Sequence, residues 1–354
     1  MNESESTRPR LRKRAALVAL ILAALTALTV IVVMRSRAIR PQAATRVVKD
    51  VNGRSVEIPT EVRRVACPGA LNQIVLMLGG ADRIVATATV VQQNKWFVRA
   101  HPAIKDTPAA YGISSPVGNV ETLLAARPQV LFGTAGQHPT QVIPVVEVSL
   151  EDAEGIKRTV GVIGEVLGGD AVGRAQEYVR YYDSVLDRVK KVSSGLPKDK
   201  RVRVYTAAQR GFLQTDGRRS IATTWIEASG GVNVAAATVE AQSAPVTMED
   251  VLRWDPEVIF TMSPTDRDRL LAEPRWAGIS AVKNKRVYAS PRGVYLWAVR
   301  SGEGVLQYLW AAKTLYPAEH ANIDLVEETR SFYRRFYGME IDANEARTIL
   351  EPAD

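Results

Sequence analysis

The chain has 354 residues, 46% of them hydrophobic and 24% charged, with a formal net charge of +8. That length suits two domains and that composition is ordinary for a globular protein. Residues 1–40 hold eight Lys and Arg against Glu3 and Glu5, and the other 314 residues carry 38 basic and 36 acidic side chains. The main part of the chain is therefore nearly neutral, which excludes the basic footprint of a nucleic-acid-binding protein. One cysteine, Cys67, excludes an intramolecular disulfide framework.

From the N-terminus, the basic run RPRLRKR precedes 20 residues without a charge, Ala15 to Met34. Twenty apolar residues suffice to cross a hydrocarbon core of about 30 Å. The flanking charge keeps residues 1–14 in the cytoplasm and exports the rest. A cleaved signal peptide is the competing reading, although Ser36-Arg37-Ala38 is a poor cleavage site and the apolar core exceeds the usual ~7–15 residues. The expectation is an anchor or signal at 15–34, a tether at 35–46, and a body on the periplasmic face of the inner membrane.

In the body, VVKDVNGRSVEI alternates around Asn52-Gly53 and reads as a hairpin with a type I′ turn. A short strand at 64–67, a helix at 71–78 and a strand at 83–88 follow. Residues 89–118, with Trp96, Arg99 and Tyr111, read as an irregular loop lining a cleft. Then come a helix at 120–127, strands at 129–133 and 145–149, and a helix at 151–167. Asp170 to Ser194 reads as one long amphipathic helix, capped by Asp170. Beyond it come a strand at 203–207, the start of a hairpin at 211–215, helices at 223–228 and 247–253, strands at 257–261 and 286–289, and helices at 302–315 and 322–337. Such alternation means α/β units with mainly parallel sheets.

Two phrases repeat: NVETLLAARPQVLFGT and TMEDVLRWDPEVIFTM. Glu121 and Glu249, Leu124 and Leu252, Pro128 and Pro256, and Phe132 and Phe260 share one offset without a gap. The expected fold is α/β: two similar lobes joined by one long helix, preceded by the N-terminal apolar segment. The boundaries are 47–167 for the first lobe, 168–196 for the interdomain helix and 197–354 for the second lobe. A cleft between lobes is where small ligands usually bind.

With these phrases, DVNGRSVEIP, RRVACPG, LGGADRIVATA, EASGGVNVA and AVKNKRVYASP, the chain resembles the periplasmic substrate-binding proteins of ABC importers for iron–siderophore, haem and cobalamin. The likeness runs from about Val47 to Pro317. It implies a rigid interdomain helix, small lobe movements on binding, and delivery of cargo to a permease dimer with a cytoplasmic ATPase. It also implies that Glu121 and Glu249, one per lobe, dock against arginines of the permease. The cargo it implies is an iron chelate, with cobalamin, haem or a metal ion as alternatives within the class, and a membrane-tethered sensor as an alternative use of the scaffold.

No catalytic signature is present: there is no G-x-S-x-G elbow, no Walker A loop and no G-x-G-x-x-G after a strand. No enzyme activity, cofactor or resident metal is expected, since His101, His138 and His320 are widely separated and Cys67 suits a small buried residue. Ligand contacts are expected from strand ends facing the cleft. The candidates are Pro68, Gly69, Ala70, Trp96, Arg99 and Tyr111 on the first lobe, and Gln209, Arg210, Phe212, Tyr295, Trp297 and Arg300 on the second. Aromatic faces suit a bulky chelate, and arginines suit its carboxylates. Arg300 ranks first, because it follows GVYLWAV, where related siderophore binders place a cleft arginine.

Overall fold

The computed structural model describes residues 44–352, apart from 113–116, 135, 137–138 and 208–210. The charge-free segment 15–34 lies outside the described residues, as do Gln209, Arg210 and His138. Among the described residues no helix is long and apolar enough to cross a membrane.

The body opens with an antiparallel hairpin, β1 (Thr45–Lys49) and β2 (Ser55–Pro59), in register Lys49↔Ser55. The turn is a five-residue loop, not the expected type I′ turn. A type I′ turn needs positive φ at both central residues, and here only Gly53 has it, at +78°. The Asp50 side chain organises the loop instead. It accepts from the backbone N–H groups of Asn52 and Arg54 at 3.0 and 2.9 Å, and pairs with the Arg54 guanidinium at 2.9 Å. Burial opposes ionisation of this carboxylate, but Arg54 and the two N–H groups outweigh it and hold its pKa below the usual range.

Two parallel sheets follow. The first contains β3 (Val65–Ala66), β4 (Ile84–Ala88), β5 (Ala109–Tyr111), β6 (Val130–Gly133) and β7 (Val145–Glu147), in spatial order β5-β4-β3-β6-β7. A separate pair, β9 (Gln214–Asp216) and β11 (Ser243–Pro245), is antiparallel, so the segment at 211–215 pairs with a distant strand and starts no local hairpin. The second sheet contains β8 (Arg203–Thr206), β10 (Val232–Asn233), β12 (Val258–Thr261) and β13 (Val287–Ala289), in order β10-β8-β12-β13. Numbering the strands of each parallel sheet along the chain shows that β4-β3-β6-β7 and β10-β8-β12-β13 have one topology, with β5 an added edge.

The repeated phrases become matched helix–turn–strand units. The helices Val120–Ala126 and Met248–Trp254 begin after the capping side chains of Asn119 and Thr247. Both end on a non-glycine residue in the left-handed region, Arg127 at φ +47° and Asp255 at φ +40°. That conformation costs a residue with a Cβ about 1 kcal/mol or more. The same cost at the same offset in both units marks a turn that the helix–Pro–strand geometry requires.

The long helix runs Asp170–Ser193, 24 residues, or roughly 36 Å. Its N-cap is Gly169, and Asp170 is its first helical residue. Gly168 and Gly169, at φ +66° and +58°, turn the chain so that no side-chain cap is used. Tyr178, Tyr181, Tyr182, Val185 and Val189 are buried; the helix packs on the helices Ala153–Leu167 and Gly304–Leu315, and Tyr181 meets Phe332 and Phe336. A Cβ on Gly164 would stand 2.7 Å from that of Ala175, so this glycine lets the two helices approach closely.

Of the stretch 89–118, residues 89–112 are more ordered than their composition implies. They hold the helices Thr89–Gln92 and Lys95–Ala100, a 3₁₀ turn at Pro102–Asp106, and β5. The Asn94 side chain caps Lys95–Ala100 by accepting from the N–H groups of Trp96 and Phe97. The stretch read as one helix over 322–337 is helical at Leu325–Phe332 and widens to a π-helical turn at Tyr333–Tyr337.

Candidate functional site

Both parallel sheets present a cavity at the C-terminal ends of their strands, where open α/β sheets place ligands. In the first lobe a cavity of about 440 Å³ is lined by Pro68 and Gly69 after β3, Ala88 and Thr89 after β4, and Tyr111 and Gly112 after β5. Gly69 has φ +41°, and a Cβ there would stand 3.0 Å from the Tyr295 hydroxyl, which reaches across from the segment after β13. Burial pushes the Tyr295 phenol up, against a smaller effect of Arg292.

In the second lobe a pocket of about 580 Å³ lies against Thr206 of β8, Phe260 and Thr261 of β12, and Ser290 after β13. Trp225 and Phe260, both 2% exposed core residues, back its apolar side, their rings 5.4 Å apart and edge to face. Asp216, Gln242 and Arg300 supply the polar groups. Arg300 donates to the Gln242 carbonyl at 3.1 Å, and Gln242 in turn donates to Glu151 of the first lobe at 3.4 Å. Burial pushes the Asp216 carboxyl above its ordinary pKa, only partly offset by the Thr206 hydroxyl and the Arg300 charge. The buried Ser290 hydroxyl, also in this wall, has no partner among the described residues.

The predicted candidates divide. Pro68, Gly69 and Tyr111 line the first cavity, and Arg300 lines the second. Trp96 and Arg99 are placed elsewhere. Trp96 is buried edge-on to Tyr333 at 5.9 Å. Arg99 lies over its ring at 5.7 Å, pairs with Glu345 and donates to the Glu340 carbonyl. Together they fasten the C-terminal segment. Phe212 sits edge to face with Trp276 at 6.1 Å, beneath the Arg269 guanidinium. Trp297 is 1% exposed and belongs to the core. An aromatic face on a cleft-facing loop suits a bulky chelate, but a large apolar surface is stabilised by burial in a core as well as by a ligand. Asp216, Thr206, Trp225, Gln242 and Ser290 carried no such signal. Three of the walls, Thr206, Thr261 and Ser290, follow from the strand-end rule once applied to every strand.

Glu121 and Glu249 are exposed, each in the first turn of its matched helix. Leu124 and Leu252, three residues on, are 43% and 48% exposed. Cys67 is buried and burial pushes its thiol up. No cluster of three or more His, Cys, Asp or Glu that could hold a metal ion occurs among the described residues.

Two α/β lobes, each with a cavity at its strand ends and joined in sequence by one long helix, define a two-lobed solute-binding protein. Residues 65–292 match the family described as periplasmic binding protein. The chain belongs to that family. It is 29% identical over 330 residues to the molybdate-binding protein MolA of Haemophilus influenzae, covering 83% of this chain and 91% of that protein. The crystal structure of MolA with molybdate matches with a TM-score of 0.75 over 84% of this chain and 99% of the other. The fold is shared with a periplasmic solute-binding protein of Veillonella parvula (23% identity, TM-score 0.74, 87% and 97% covered) and with Helicobacter pylori CeuE (18%, 0.73, 87% and 99%).

Proposed function

We propose that this protein is the capture component of an ABC importer. It takes an anionic solute from the periplasm and delivers it to a permease dimer coupled to a cytoplasmic ATPase, with no chemical step of its own. The observation that carries the reading is Arg300. Its guanidinium lines a pocket of about 580 Å³ at strand ends, within the ~300–1,000 Å³ of small-molecule sites, and among the described residues it makes one hydrogen bond, to a neutral amide. A guanidinium so presented suits carboxylate or oxyanion cargo. A ferric chelate is the first cargo reading, since the aromatic wall and the pocket volume suit a bulky group. A molybdate-like oxyanion is the second, favoured by the likeness to MolA over most of both chains. Pro68, Gly69, Tyr111 and Tyr295 would close over the cargo from the other side.

Glu121 and Glu249 serve as paired docking points on the permease, and segment 15–34 as an anchor in the inner membrane. A carboxylate in the first turn of a helix is stabilised by the helix dipole and is presented outward. The test is tryptophan quenching and calorimetry against ferric siderophores, haem, cobalamin, molybdate and divalent metals. Binding of one of them, weakened by Arg300→Ala, is the expected result. Binding that Arg300→Ala leaves unchanged overturns the site.

A further inference from the structure

We propose that Asp216 sets the class of cargo: the second-lobe pocket takes a solute that presents a hydrogen-bond donor beside the anionic group offered to Arg300, and turns away a fully ionised oxyanion. This rests on the capture role proposed for the same pocket, and of the two cargo readings given there it keeps the first and drops the molybdate-like oxyanion.

Asp216 and Arg300 line one pocket. The Arg300 charge acts on the Asp216 carboxyl, yet the two make no ion pair among the described residues, which leaves room between them. Arg300 uses one N–H on Gln242, and a guanidinium carries five donors. Asp216 is approached by the Thr206 hydroxyl, and a carboxylate has about four acceptor sites. A carboxylate held mostly out of water without an opposite charge in contact is costly. It is relieved in two ways: by taking a proton, or by a donor brought in with the cargo. Burial raises its proton affinity, in line with the first route.

Both routes have one consequence for selectivity. A ligand with only acceptor oxygens places negative charge against Asp216 or must carry a proton in with it. A ligand with a hydroxyl, an N–H or an acidic proton next to its anionic group satisfies both residues. The Ser290 hydroxyl, buried in the same wall without a partner among the described residues, serves either kind of oxygen, since a hydroxyl both donates and accepts. It therefore does not discriminate, and Asp216 does. The pocket volume of about 580 Å³ leaves space for the remainder of a larger solute.

The test uses sodium molybdate and potassium phosphate as probes at pH 8, where hydrogen phosphate keeps one proton and molybdate has none. Each is titrated calorimetrically into the full chain, Asp216→Asn and Arg300→Ala. The wild type is expected to favour phosphate by about tenfold or more, because hydrogen phosphate offers Asp216 a hydrogen-bond donor while molybdate offers only acceptor oxygens. Asp216→Asn is expected to tighten molybdate at least about tenfold and to lose that preference. Arg300→Ala is expected to weaken both probes. Asp216→Ser serves as the second variant if thermal melting shows that the asparagine protein is misfolded. Asp216→Asn binding molybdate no tighter than wild type, including the case where neither binds, overturns the proposal. If that failure comes with Arg300→Ala still weakening both probes, the capture site stands and only its selectivity falls. Wild type and both variants binding alike overturns the capture site as well.

Discussion

The side-chain amide of Gln73 donates to the hydroxyl of Tyr337 at 2.8 Å, 264 residues along the chain. Its carbonyl accepts from the backbone N–H of Gly302 at 2.8 Å. One buried side chain in the first lobe's helix Leu71–Met77 thus joins that lobe to the C-terminal π-turn and to the start of the helix Gly304–Leu315. Gln73→Leu leaves the Gly302 N–H buried without an acceptor. An unsatisfied buried group costs about 1–3 kcal/mol. Urea unfolding should show a loss of that size with an unchanged slope. A loss below about 0.5 kcal/mol, the range of neutral surface changes, refutes it.

Glu303 lies beside this junction, fully buried. It accepts from the N–H groups of Val294 and Tyr295 at 3.2 and 2.9 Å. Burial raises its pKa from 4.5 to about 7, against the opposing pull of the Tyr295 N–H and the Tyr333 hydroxyl. Between those two values the folded state holds a proton that the unfolded state has released, so this group's contribution to stability falls as pH rises from 4.5 to 7. At 1.36 kcal/mol per unit the loss is on the order of 3 kcal/mol. The difference in unfolding free energy between wild type and Glu303→Gln, measured from pH 4.5 to 8, should change by that order. A flat difference across that range rules the assignment out.

Gly293 tests the packing of the same junction. A Cβ there would stand 2.0 Å from the Tyr333 hydroxyl and 2.8 Å from Glu303 Oε1. Gly293→Ala must displace a buried, hydrogen-bonded ring, and overpacking of this kind costs about 1–3 kcal/mol. A melting temperature equal to wild type contradicts the geometry.

The docking role proposed for Glu121 and Glu249 predicts a separation of effects. Reversal of both to Lys should abolish cargo uptake and stimulation of the ATPase while leaving cargo affinity within about twofold, because both helices lie outside the pocket linings and distant sites act independently. Leu124→Ser with Leu252→Ser should weaken uptake by a smaller factor, removing apolar surface from the same faces. Normal uptake by the double lysine protein excludes the role.

Arg99 was expected in the cleft and instead pairs with Glu345 and covers Trp96. Arg99→Ala should therefore leave cargo affinity unchanged and lower stability by about 0.2–1 kcal/mol, the range of partly exposed ion pairs. A clear loss of affinity at unchanged stability would return Arg99 to the cleft.

Local pattern carried much of this fold. The alternation of strand and helix, the long helix and the matched phrases at Glu121 and Glu249 were readable because each depends on residues close in sequence: apolar spacing, Asn or Thr caps and Gly-Gly stops. The strand-end rule likewise located Pro68 and Gly69. The errors have one cause. Trp96, Trp297 and Phe212 are large apolar side chains, and composition cannot say whether such a surface is covered by a ligand or by another part of the chain. The covering groups, Tyr333 for Trp96 and Trp276 for Phe212, lie far away in sequence. Asp216 was invisible for the complementary reason. Its chemistry arises from burial and from the nearness of Arg300, neither of which has a local signature. The sequence by itself therefore determined most of the secondary elements, the repeated helix–strand unit and the kind of protein. Only tertiary structure decided which polar groups share the pocket, because burial and long-range contact set their protonation and their partners.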